Sequence, residues 1–180
     1  MNKNIFFVGG IHGVGKSYFC KDVSSKLGIK HYSASELIKL MKSELVKANK
    51  KVSDIEGNQD VLITAIERHV KETTILLDGH FCLFDNENKT QKIPLDVFYS
   101  LNPKAILVIQ DDVKKILNRI ADRDSLEHNE ELFDELQVNE ISHAKTVSEC
   151  INTPLYQQVT GTVNEDFIML IRKMMEDNTD

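Results

Sequence analysis

The stretch Ile5-Phe6-Phe7-Val8-Gly9-Gly10-Ile11-His12-Gly13-Val14-Gly15-Lys16-Ser17 decides the fold. Four apolar residues run into glycines, and a Lys-Ser pair opens a segment with helical periodicity. The spacing Gly10-x-x-x-x-Gly15-Lys16-Ser17 matches the phosphate-binding loop pattern in full. Gly10, Gly13 and Gly15 let the backbone turn tightly and bring N–H groups against phosphate oxygens. A helix opening near Gly15 adds the positive end of its dipole. Lys16 supplies a point charge for the outer phosphates, and the Ser17 hydroxyl is a ligand for Mg²⁺. The buried-strand run before the motif and the helix period after it are the context that the motif requires.

Working outward, Asn4 to Val8 reads as a buried strand and Lys16 to Leu27 as a helix with Phe19, Val23 and Leu27 on one face. Gly28 stops that helix, and Ile29 to Tyr32 is a short second strand. Ser33-Ala34-Ser35-Glu36 has capping-box spacing, followed by an apolar face of Leu37, Leu40, Met41 and Leu45. Lys47 to Gly57 is charged and weakly patterned, a loop or mobile segment. Val61, Leu62, Ala65, Ile66, His69 and Val70 mark another amphipathic helix. Thr73 to Leu77 is a buried strand ending at Asp78-Gly79. Phe81 to Pro94 reads as a polar loop and Leu95 to Leu101 as a short helix. Ala105 to Ile109 is the fourth core strand. A helix over Asp111 to Arg123 carries Val113, Ile116, Leu117 and Ile120 on one face. Ser125 to Asn129 is a polar break before a long helix from about Glu130 to Asn152. Leu155 to Thr160 is a fifth strand, Glu165 to Glu176 the last helix, and the remainder a frayed tail. Strands alternating with helices predict an α/β, three-layer sandwich with a five-stranded, mostly parallel sheet. In such sheets ligands bind beyond the carboxyl ends of the strands.

The 180 residues suffice for a single domain spanning 1–180. A formal charge of −6 disfavours broad binding to nucleic acid or anionic membranes. Cys20, Cys82 and Cys150 are odd in number and lack metal-ligand spacing, which indicates neither a disulfide framework nor a zinc site; they read as buried apolar thiols, with a redox thiol as the functional alternative. The first strand follows the N-terminus without a signal peptide, and no apolar run approaches the ~20 residues of a membrane span. The expectation is a soluble cytoplasmic protein. Of the 22 basic residues only Arg68, Arg119, Arg123 and Arg172 are arginines, so planar, bidentate phosphate recognition has few candidates.

Asp78, at a strand end, can hold Mg²⁺ directly or through water beside Ser17; alternatively it caps a turn with Gly79. Arg119 and Arg123 share a helix face and could stack on a base and hold a transferring phosphate, or lie on a solvated face with Asp122 and Asp124. His12 contributes only its backbone. His80 either orients an acceptor or water, or is structural. Asp111-Asp112 begins a helix and reads as capping.

These features, in this order, resemble the P-loop nucleoside monophosphate kinases. The resemblance runs from roughly Ile5 to Arg172 and includes Asp78-Gly79-His80, Arg119…Arg123 before a long helix, and Asn102-Pro103 before a strand. It is nearest to the archaeal-type adenylate kinases and the ribosome-assembly-associated adenylate kinase. It implies an ATP- and Mg²⁺-dependent phosphotransferase, with ATP as phosphoryl donor and a small acceptor, most naturally a nucleoside monophosphate. The nucleotide-binding set is Gly10, Gly13, Val14, Gly15, Lys16, Ser17 and Tyr18. Lys16, Arg119, Arg123 and Asp78 are the catalytic candidates, and Ser17 and Asp78 the metal ligands. Ser33, Lys39 and His80 border the acceptor within a segment of about 33–72, and a short lid spans about 119–129. Lys39 stands where many relatives carry an arginine. Two alternatives stay open: a nucleotide-dependent ATPase switch acting on a protein partner, and a kinase for another small molecule or a nucleic-acid end.

Overall fold

The computed structural model describes residues 3–47, 57–124 and 129–176. Five parallel strands form the main sheet: β1 (Asn4–Gly9), β2 (Lys30–Ser33), β3 (Thr74–Asp78), β6 (Ala105–Gln110) and β7 (Leu155–Val159). Their spatial order is β2-β3-β1-β6-β7. All four pairings are parallel, with Phe7 opposite Leu77 and Ile106, and Ser33 opposite Asp78. The crossovers are helices: α1 (Lys16–Leu27), α2 (Ala34–Lys47), α3 (Gly57–His69), α4 (Leu95–Leu101), α5 (Val113–Asp124) and α6 (Glu130–Ile151), with α7 (Glu165–Glu176) closing the chain. The expected α/β sandwich is therefore present.

Strand periodicity assigns the two cores. Phe6 and Val8 join one buried cluster with Phe19, Ile116, Ile120 and Phe167. Ile5 and Phe7 join the other with Leu37, Ile66, Phe98 and Val147. Helix α6 contributes Phe133 and Leu136 to the first and Ala144 and Val147 to the second. It thus spans both layers past the sheet.

Within the secondary structure, residues 81–94 and helix α2 depart from the sequence reading. Phe81 to Pro94 is not merely a loop: β4 (Cys82–Phe84) and β5 (Thr90–Lys92) form an antiparallel hairpin. The turn is closed by Asp85, whose Oδ1 accepts from the Glu87 and Lys89 amides at 2.8 and 2.9 Å, and by Asn88 at φ 59°. Five polar turn residues, Asp85 to Lys89, hid two very short strands. On α2, Leu37, Met41 and Leu45 are buried but Leu40 is 44% exposed. At 3.6 residues per turn Leu40 falls about 60° to one side of Leu37, while Met41 and Leu45 fall to the other. Residues 48–56, 125–128 and 177–180, which include parts of the expected loop, lid and tail, lie outside the described residues.

Candidate active site

The loop after β1 turns under the N-terminus of α1. Gly13 sits at φ 81°, and a Cβ there would stand 2.6 Å from Ile120 of α5. Only glycine allows both this conformation and this approach. Gly10 departs from its expected role. Its N–H does not face the ligand crevice but donates to the Glu140 carboxylate of α6 at 2.8 Å. The other Glu140 oxygen accepts from the Phe81 and Cys82 amides at 2.9 and 2.5 Å. One buried carboxylate therefore ties the phosphate-binding loop to the start of the β4–β5 hairpin. Burial pushes its pKa up, while these donors and the Lys16 charge act in the opposite direction.

Lys16 is buried, and its Nζ donates to the carbonyls of Gly10 and Ile11 at 2.6 and 3.1 Å. Burial lowers its pKa against the pull of Glu140 and Asp78. Thr160, just after β7, braces the loop from outside by donating to the Val14 carbonyl at 2.6 Å. Arg119 of α5 lies across the same loop. Its guanidinium donates to the Gly13 and Val14 carbonyls at 3.3 and 3.4 Å and pairs with Asp111. Asp112 caps α5 through the Lys115 amide at 3.1 Å, as expected, but Asp111 is the anchor of Arg119.

Asp78 ends β3 beside Ser17, whose Oγ donates to Oδ2 at 3.5 Å. His31 Nε2 meets the same oxygen at 2.5 Å. Burial works to raise the Asp78 pKa, but the His31 hydrogen bond and charge, with Lys16, hold it below the ordinary carboxylate value. A hydroxyl and an ionised carboxylate converging at the strand ends suit a hard cation such as Mg²⁺. The Cys20 thiol also approaches: the donor atoms of Cys20, His31 and Asp78 all lie within 4.8 Å of one another. Burial pushes that thiol above its ordinary pKa, so it is a neutral group in this crevice. Sequence spacing could not show this cluster, because its members come from α1, β2 and β3. Cys82 is buried, whereas Cys150 is exposed, contrary to the expectation of a buried thiol.

An open pocket of about 630 Å³ unites Gly13, Gly15, Lys16, Ser17, Tyr18, Ser33, Asp78, His80 and Arg119 with His12, Lys21 and Glu36. Beside it lies a cavity of about 360 Å³ that shares Ser33, Ser35, Asp78 and His80 and is otherwise mostly apolar. Burial, aided by the charges on Lys16 and His12, pushes His80 down to about 3, so it is a neutral imidazole. Val14 is in the core and Tyr18 is 82% exposed at the pocket rim. Lys39 lines neither cavity, and Arg68 is held 3.5 Å from Glu44. The Arg123 side chain lies outside the described residues.

Sequence reasoning missed Glu140, His31 and Asp111. Glu140 did carry a signal: it falls on the apolar stripe Phe133, Leu136, Ala144 and Val147, where a charge needs a reason. His31 and Asp111 carried none, since their partners are set by the sheet and by α5.

The family model described as AAA domain matches residues 9–137. The chain belongs to the AAA domain family. No curated protein matches it. Its fold is shared with many solved structures, two of which stand as examples. One is a gluconokinase from Sinorhizobium meliloti, at 10% identity and TM-score 0.54, covering 99% of this chain and 96% of that one. The other is an uncharacterized protein from Eubacterium ventriosum, at 11% identity and TM-score 0.51, covering 97% and 99%. The architecture, a five-stranded parallel sheet flanked by helices, is shared with these structures. Among the described residues, no helix is long and apolar enough to cross a membrane.

Proposed function

We propose that this chain transfers the γ-phosphoryl group of ATP to a small acceptor. The observation that carries the reading is the junction of two unlike cavities at Ser33, Ser35, Asp78 and His80. One is lined by the phosphate-binding loop and cations; the other can shelter the body of a second molecule. Lys16 would leave the Gly10 and Ile11 carbonyls for the outer phosphate oxygens. Arg119 would leave Asp111 and the loop carbonyls to meet the charge that spreads over the transferring group. Ser17 and Asp78 would hold Mg²⁺, which, when bound, neutralises phosphate charge. His31 would keep the Asp78 carboxylate oriented. The segment around 33–72 would border the acceptor, and 119–129 would act as a short lid.

The resemblance in sequence names a nucleoside monophosphate as acceptor, bordered by Ser33 and His80. A second reading keeps the transfer and changes the acceptor. It is favoured by the placement of Lys39 outside both cavities and of Arg68 beside Glu44. Calorimetric titration with ATP and GTP, with Mg²⁺, tests the donor side; no binding of either at millimolar concentration overturns the proposal. A screen that follows both ADP and phosphorylated product separates the acceptors. ATP hydrolysed at one rate with or without every candidate would point instead to a nucleotide switch.

A further inference from the structure

We propose that the acceptor is a neutral, hydroxyl-bearing molecule with an aromatic or aliphatic body, of nucleoside size or smaller, seated in the apolar cavity beside Asp78. This deepens the phosphoryl-transfer reading and rests on it. The cavity holds about 360 Å³, at the small end of ligand sites. Its walls include Phe7, Ile38, Leu62, Ile93, Val97 and Phe98. Leu83, 44% exposed, is a further lining residue of the same chemistry. Such walls reward an apolar body and offer nothing to a charged one.

The polar atoms are confined to one edge, where Ser33, Ser35, Asp78 and His80 face both this cavity and the phosphate pocket. A hydroxyl placed there lies between the apolar walls and the γ-phosphate site. Among the described residues lining the cavity, the charged one is Asp78, an anion, and no lysine or arginine takes part. A phosphate dianion on the acceptor would enter an apolar chamber against a carboxylate, with no described cation to meet it. A neutral hydroxyl, by contrast, meets the polar edge of Ser33, Ser35 and His80 with no charge to bury. In the transfer, the hydroxyl oxygen forms a bond to the γ-phosphorus as the bond from that phosphorus to the β,γ-bridging oxygen breaks. The electron pair of the broken bond leaves on ADP. The hydroxyl proton passes to water.

The test uses adenosine, thymidine and benzyl alcohol as neutral probes, with AMP and TMP as their charged counterparts. Methyl NMR signals of Leu62, Leu83, Ile93 and Val97 report entry into the cavity, and ATP binding is measured on the same samples. At least one neutral probe should shift these methyls and accept phosphate from ATP, with a nucleoside preferred over its monophosphate by about tenfold or more. Leu83→Arg, at an exposed position, should narrow or reverse that preference by about tenfold while ATP affinity holds. Ile38→Trp should weaken probe binding several-fold by filling the cavity. The inference is overturned if ATP binds normally while no neutral probe moves a cavity methyl at millimolar concentration. It is also overturned if AMP and TMP bind the wild type as tightly as their nucleosides. If the probes enter but ATP does not bind, the transfer reading itself fails and the cavity is not an acceptor site.

Discussion

The phosphate side and the acceptor side of the crevice share Asp78 and His80 but are built from opposite chemistries. On the phosphate side Lys16, Lys21 and Arg119 gather around a loop whose carbonyls already carry hydrogen bonds. On the acceptor side the walls are aliphatic and aromatic. The difference teaches that, among the described residues lining the crevice, the lysines and arginine lie on the phosphate-loop side and none lies on the apolar side. Among the described arginine side chains, Arg119 lines the phosphate pocket.

The most severe way to break this asymmetry is to remove that charge. Arg119→Ala should lower turnover on the order of a thousandfold, the loss typical of an arginine that stabilises a transferring phosphoryl group. Arg119 is 40% exposed, so melting should stay near wild type. Steady-state ADP release together with a thermal melt checks both halves. Unchanged turnover would return Arg119 to a surface role as the partner of Asp111.

A comparable cost, on stability rather than rate, is expected at Glu140. Glu140→Ala would strip acceptors from the buried amides of Gly10, Phe81 and Cys82. Unsatisfied buried donors of this kind cost roughly 1–3 kcal/mol each, so a loss of about 3 kcal/mol or more is expected in denaturant unfolding. The substitution would also loosen the loop from the hairpin, so ATP affinity should fall in the fraction that remains folded. An unfolding midpoint within error of wild type would remove Glu140 from the link between the two sides.

His80 sharpens the comparison by pH. Its folded pKa, about 3, lies below the ordinary value of 6.5 because burial opposes the charged imidazolium. Between those values the unfolded chain binds a proton that the folded chain refuses. Stability is therefore full above about pH 6.5 and falls as pH drops toward 3. From pH 7 to pH 5 the loss attributable to this group is about 1–2 kcal/mol, allowing for its residual contact with solvent. Denaturant unfolding of wild type and His80→Gln at both pH values isolates it. An equal pH response in the two proteins would show that His80 is freely solvated.

The phosphate-loop half of this site was legible in the sequence because its geometry is local. Gly10 to Ser17 lie within one turn, and glycine spacing, strand and helix onset all agree. Asp78 was legible because strands β1 and β3 announce themselves by buried runs. What escaped was set by long-range packing. The Gly10 amide looks like a phosphate ligand until α6 brings Glu140 to it, 130 positions away. The β4–β5 hairpin escaped because three-residue strands carry no readable period. The apolar cavity is assembled from five separate stretches of chain, and Phe7, Ile38, Leu62, Val97 and Phe98 each read alone as ordinary core.

Lys39 gives the smallest expected effect and the sharpest contrast with Arg119. In sequence it occupies the place of an acceptor-phosphate cation, but the helix decides otherwise. Ser35 and Ile38, three apart on α2, face the apolar cavity, and Glu36 faces the phosphate pocket. Lys39 follows Ile38 by about 100°, which turns it out to solvent, and it is exposed. A flexible lysine there is screened by water and salt from anything bound beyond the cavity walls. Lys39→Ala should leave ATP affinity and the KM for a phosphorylatable acceptor within about twofold of wild type, with stability changed by no more than about 0.5 kcal/mol. The measurement is KM for a nucleoside and for its monophosphate, taken at low and at moderate salt. A several-fold rise in KM confined to the monophosphate, and larger at low salt, would place a cation on the acceptor side after all. The neutral-acceptor inference would then lose its ground, while Arg119 and the loop would keep theirs.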